Sequence, residues 1–152
     1  ADIVAFGILP VCIGLALWNY SAASAEAGSF VLPYAVPILI SCLYILAAVV
    51  RLAYFNVTEE ERQSIGASKR EFYTGLPVTA ASLIFPTLVL LQKLTRADLC
   101  WLYHAVMLAT AGAFVGKFHV KKPNLRGILI LVGLGAAEFL LFLILRLVTR
   151  HG

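Results

Sequence analysis

The sequence predicts an all-α polytopic membrane bundle, and three observations carry that prediction. Hydrophobic residues make up 61% of the chain and charged residues only 13%, with a mean hydropathy of +0.92, whereas a soluble domain has about 25% charged residues. The apolar residues gather in five runs, 3–18, 30–50, 76–91, 99–115 and 127–148, close to the roughly 20 residues that one span needs. In hydrocarbon a single segment must satisfy its own backbone hydrogen bonds, so each run is read as a helix. About five transmembrane helices fill the chain, and residues 1–152 form one membrane domain with no separate soluble part.

The first run holds Gly7 and Pro10; the proline ring removes a hydrogen bond, so a bend is expected there. Pro33 and Pro37 fall at the opening of the second helix, where a missing donor costs least. After Arg51, Thr58 and Glu61 have capping-box spacing and three glutamates follow Thr58, which predicts a separate short surface helix ending near Gly66. Pro77 opens the third helix and Pro86 is expected to kink it. The fourth carries His104 with Gly112 and Gly116, and leads into a basic loop, 117–126. The fifth has Gly133, Gly135, Ala136 and Ala137 near its middle, small residues that let helices approach closely.

The net charge of +4 sits in short loops between the runs, which points to positive-inside bias and contact with anionic lipid. No groove-reading motif accompanies it, and no nucleic-acid partner is expected. Cys12, Cys42 and Cys100 are odd in number and lie within apolar runs, so they are read as packing residues rather than a disulfide or metal set. His104 and His119 lack ligand-like spacing. Glu138 stands inside the last apolar run, where a carboxylate is costly unless paired; a structural partner or a dimer contact is the favoured reading.

Counting spans decides which loops share a side. One side receives Arg51, Arg62, Lys69, Arg70, Lys117, Lys121, Lys122 and Arg126; the other receives Lys93, Arg96, Arg146 and Arg150. The richer side is expected to face the cytoplasm. Asp2 falls on it too, so Asp2, Arg51 and the Lys121-Lys122 pair converge at one end of the bundle. A carboxylate facing fixed cations at such a mouth suits a metal ion or a phosphorylated substrate, against the plainer reading of charges snorkelling at helix ends.

Arg51-Leu52-Ala53-Tyr54-Phe55-Asn56, followed by Phe72-Tyr73-Thr74-Gly75-Leu76-Pro77, resembles the RLxxFN and FxGLP pair of the CDP-alcohol phosphatidyltransferase family, in its phosphatidylserine synthase branch. The opening residues Asp2 to Pro10 are similar to the family's D-x-V-x-F-G-x-x-P, which starts at the last aspartate of its signature, and Lys121-Lys122-Pro123 resembles a basic-proline loop found further on. The matches keep the family's order over most of the chain. The resemblance implies the C-terminal part of such a membrane domain, with the signature's first three aspartates upstream of Ala1.

It further implies a reaction: the hydroxyl of serine attacks the β-phosphorus of CDP-diacylglycerol and CMP leaves. Asp2 would be a metal ligand, for Mg²⁺ or Mn²⁺, and the general base. Arg51 would hold phosphate or the serine carboxylate, with Asn56, Lys69, Arg70, Gly75 and Lys121 also at the substrates. The family resemblance implies a homodimer in the cell membrane of a bacterium or archaeon. Tyr54 stands where relatives often have a basic residue, which leaves glycerol phosphate, inositol phosphate and inositol as alternative acceptors. A non-catalytic membrane scaffold, with the charged loop docking a partner, is the alternative of a different class.

Overall fold

The computed structural model describes residues 1–25, 33–65, 72–74, 76–95, 97–116, 119–121 and 125–151; of these, 61–65, 72–74, 119–121, 125–128, 145–146 and 148–151 are described by their backbone alone. It is an all-α bundle. A π-helical segment, Ile3–Ile8, runs into α1 (Leu9–Ser24), followed by α2 (Ala35–Ile65), α3 (Ala81–Thr95), α4 (Cys100–Val115) and α5 (Leu125–His151). A short 3₁₀ turn, Val78–Ala80, leads into α3, and two three-residue strands, β1 (Phe72–Thr74) and β2 (His119–Lys121), pair antiparallel.

Among the described residues, three helical stretches are long and apolar enough to cross a membrane: Ile3–Ser24, Ala35–Glu60 and Val78–Thr95. The fourth and fifth apolar runs appear as the shorter stretches Cys100–Val115 and Leu129–Ile144.

The core lies where α2, α3 and α4 meet the first segment. Tyr44, Phe85, Tyr103, Met107 and Phe114 are fully buried there. The Tyr44 ring meets Phe85 edge-on at 5.5 Å between centroids and Phe114 at 5.7 Å, while Phe85 lies 5.2 Å from Tyr103. Ala47, Ala48, Ala81 and Ala111 fill the remaining space. Such close packing, rather than water exclusion, is what holds helices together in lipid. α1 approaches α4 at Gly14, where an added Cβ would stand 3.0 Å from the Tyr103 ring and 3.2 Å from the Met107 methyl.

Contacts fix the directions of the helices. Gly14 lies against Tyr103 and Met107, whereas the later Ser21 donates to Asp98, so α1 and α4 run antiparallel. On α3 and α5, Leu83 meets Gly135, Thr87 donates to Glu138, and Lys93 lies 4.5 Å from the Phe142 ring centroid, so these two run parallel. Both relations agree with helices that alternate in direction along the chain.

Two expectations are corrected. The predicted break after Arg51 is absent: α2 continues unbroken to Ile65, because Thr58 is not a cap but returns its hydroxyl to the Tyr54 and Phe55 carbonyls at 2.8 and 3.1 Å. The small residues of the last helix do not all mark close approach: Gly135 lies 3.5 Å from Leu83, but nothing comes within 4 Å of a Cβ built at Gly133. Of the cysteines, Cys100 is buried while Cys12 and Cys42 are exposed, and all three are free.

Candidate functional site

Asp2 and Arg51 line one cavity of about 320 Å³, together with Phe6, Leu52, Phe55, Pro77, Val78, Thr79 and Leu131. Arg51 comes from the middle of α2 and is buried, with 7% of its surface exposed. A guanidinium so placed needs partners for its donors, and its Nε donates to the Leu76 carbonyl at 3.0 Å. The Leu76 N–H in turn donates to the Ala113 carbonyl on α4 at 3.3 Å. The segment before α3 is therefore held from two sides, and Pro77, Val78 and Thr79 follow it directly into the cavity wall. Tyr54, one helix turn on, sets its ring centroid 5.9 Å from Arg51 Cζ, at the outer reach of a cation–π contact.

Asp2 stands exposed at the head of the π-helical segment, without a side-chain hydrogen bond to that segment's backbone. Among the described residues it is the only carboxylate that lines the cavity, and no group of three or more His, Cys, Asp or Glu side chains gathers. One carboxylate fits a single coordination place on a magnesium-type ion, which takes one or two protein carboxylates and completes its shell with phosphate oxygens and water. Among the described residues, the cavity thus offers one base, one buried cation and one hydroxyl, Thr79, within otherwise apolar walls.

The predicted residues divide as follows. Asp2 and Arg51 meet in one cavity. Asn56 is exposed on α2 and is not among the lining residues. Lys121 enters through its backbone: it is paired with Phe72 in the β1–β2 ladder, with Val120 opposite Tyr73 and His119 opposite Thr74. That ladder ties the basic loop to the strand just ahead of Leu76. Lys69, Arg70, Gly75 and Lys122 lie outside the described residues.

Thr79 and Leu131 were missed by sequence reasoning. Thr79 had a weak signal, a hydroxyl two residues beyond Pro77, but Leu131 had none, being one leucine in an apolar run.

At the opposite end of the bundle, a hollow of about 630 Å³ is lined by Leu17, Tyr20, Ser24, Val89, Gln92, Lys93, Ala97 and Asp98. Its charged groups already serve the fold: Asp98 accepts from Ser21 and, at 3.0 Å, from the Cys100 N–H at the start of α4, while Lys93 rests over Phe142. Glu138 has a structural partner in Thr87. His104 is buried with Nδ1 2.9 Å from the Cys100 carbonyl one turn back.

No family model, curated protein or solved structure matches the chain.

Proposed function

We propose that this chain carries the acceptor side of a CDP-diacylglycerol-dependent phosphatidyltransferase, with serine as the acceptor. The observation that supports this reading is the shared cavity of exposed Asp2 and buried Arg51, walled by residues of the Leu76–Thr79 segment. In the reaction, the serine hydroxyl oxygen forms a bond to the β-phosphorus, the one that bears diacylglycerol. The bond from that phosphorus to the CMP oxygen breaks, and CMP leaves with the electron pair. The hydroxyl proton passes to the Asp2 carboxylate. Arg51, held at Nε by the Leu76 carbonyl, brings its positive charge to the cavity beside an anionic group, either phosphate or the serine carboxylate, in a partly dehydrated place where charge-assisted interactions are strong. A divalent cation, Mg²⁺ or Mn²⁺, bound with Asp2 among its ligands, would neutralise charge on the pyrophosphate and the leaving CMP.

The site faces the cytoplasm in this reading, because its end of the bundle carries the larger share of basic residues. The protein works as a homodimer in a bacterial or archaeal membrane. Tyr54 supports Arg51 through its ring and adds no charge of its own, which makes it the position most involved in acceptor choice among glycerol phosphate, inositol phosphate, inositol and serine.

The experiment is CMP release by the full-length protein in detergent micelles with CDP-diacylglycerol, Mg²⁺ or Mn²⁺, and each acceptor separately. Serine-dependent release is expected, reduced roughly a hundredfold or more in Asp2→Asn and comparably in Arg51→Ala. Release with another acceptor alone would keep the reaction class and replace serine. No release with any acceptor, or full turnover in Arg51→Ala, would overturn the assignment in favour of a scaffold.

A further inference from the structure

The segment that carries Asp2 is wound differently from the helix it joins, and a residue on a neighbouring helix meets the junction. In an α-helix the Phe6 carbonyl would accept from the N–H of residue 10; residue 10 is proline and has no N–H. Upstream of this gap the chain is π-helical over Ile3–Ile8, with the Leu9 N–H reaching back five residues to the Val4 carbonyl. The Tyr44 hydroxyl, from α2, donates to the Phe6 carbonyl at 2.6 Å, the carbonyl that an N–H at residue 10 would serve in an α-helical register. Tyr44 has no room to swing away, because it is fully buried between Phe85 and Phe114. One turn further on, Tyr103 donates to the Pro10 carbonyl at 2.9 Å.

This winding decides where Asp2 points. A π-helix turns less per residue than an α-helix, so six residues of it rotate the residue at their head by roughly a quarter turn or more from an α-helical path. That residue is Asp2, at the cavity it shares with Arg51.

We propose that Tyr44 is a positioning residue: its hydroxyl pins the junction between the π-helical segment and α1 at the Phe6 carbonyl, and thereby presents Asp2 to the Arg51 cavity. As a statement about catalysis this rests on the phosphatidyl-transfer reading; as a statement about the placement of Asp2 it does not.

The test reads both. In full-length protein with Cys12→Ser, Cys42→Ser and Cys100→Ala, the pair Asp2→Cys and Thr79→Cys, two lining residues of the one cavity, is joined by a short bismaleimide. Cross-linking is expected to fall several-fold when Tyr44→Phe is added and to persist with Tyr103→Phe, which removes a comparable buried hydroxyl bond. Adding Pro10→Ala to Tyr44→Phe returns an N–H to the Phe6 carbonyl; thermal stability is expected to recover while cross-linking stays low, because the segment then closes as an α-helix. If Tyr44→Phe does not fold, Pro10→Ala alone is read the same way and is expected to lower cross-linking. In the enzyme with Asp2 intact, Tyr44→Phe is expected to lower kcat roughly tenfold or more with KM little changed. Unchanged cross-linking in Tyr44→Phe, or its recovery in the double variant, would overturn the proposal. Absence of turnover in the parent enzyme would sink only the phosphatidyl-transfer reading, since the cross-link does not depend on it.

Discussion

Gly14 and Gly133 are the same residue type in similar apolar helices, yet substitution should separate them sharply. A methyl at Gly14 would meet a Tyr103 ring that is itself buried and tied by its hydroxyl to Pro10. The ring cannot yield without giving up that bond, so Gly14→Ala is expected to cost about 1–3 kcal/mol. Gly133→Ala meets nothing within 4 Å and should stay within about 0.5 kcal/mol of the parent; thermal unfolding in detergent checks both. Glu138 gives a second comparison at this scale. Thr87→Val keeps the shape but removes the hydroxyl that donates to the carboxylate, and a loss of about 1 kcal/mol is expected, the usual size of a polar contact between membrane helices. A Thr87→Val protein as stable as the parent would mean that Glu138 finds its partner elsewhere.

At the scale of the element, α2 is the informative case. Its first part is a membrane-length run and its last part, from Thr58 on, is mostly polar, so one helix passes from an apolar stretch into a polar one and carries the site near the transition. Thr58, Glu59, Glu60 and Glu61 have the spacing of a helix start, and that reading fails because a capping box works only where the N–H groups of the cap residue and of the turn after it lack carbonyl partners in a turn before them. In α2 the preceding turn is already bonded, and Thr58 behaves as an interior threonine that donates back to carbonyls three and four residues earlier. Val57→Pro tests this continuity. In an unbroken helix it should cost about 3 kcal/mol and open residues near 57 to protease, whereas in a loop between two helices it would be nearly silent.

At the scale of the whole molecule, alternation of helix direction puts Asp2, Arg51 and the Leu76–Thr79 segment at one end and Lys93, Ala97 and Asp98 at the other. If the site faces the cytoplasm as proposed, a membrane-impermeant maleimide applied to intact cells should label Ala97→Cys and spare Val57→Cys, both exposed positions, in a background without native cysteines; the reverse pattern would turn the site outward. What the sequence determined by itself is the helical class, the approximate apolar runs and the shared end of the bundle at which Asp2 and Arg51 fall. These follow from local hydropathy and from the parity of crossings, and neither needs a contact. Only the tertiary structure decided that Arg51 is held by the Leu76 carbonyl, that β1 pairs with β2, that Thr79 and Leu131 complete the cavity wall, and that Tyr44 meets the carbonyl Pro10 cannot serve. Each joins positions from 25 to more than 100 residues apart, and a pairing at that distance depends on how helices rotate and cross, which no local pattern of apolar and polar residues encodes.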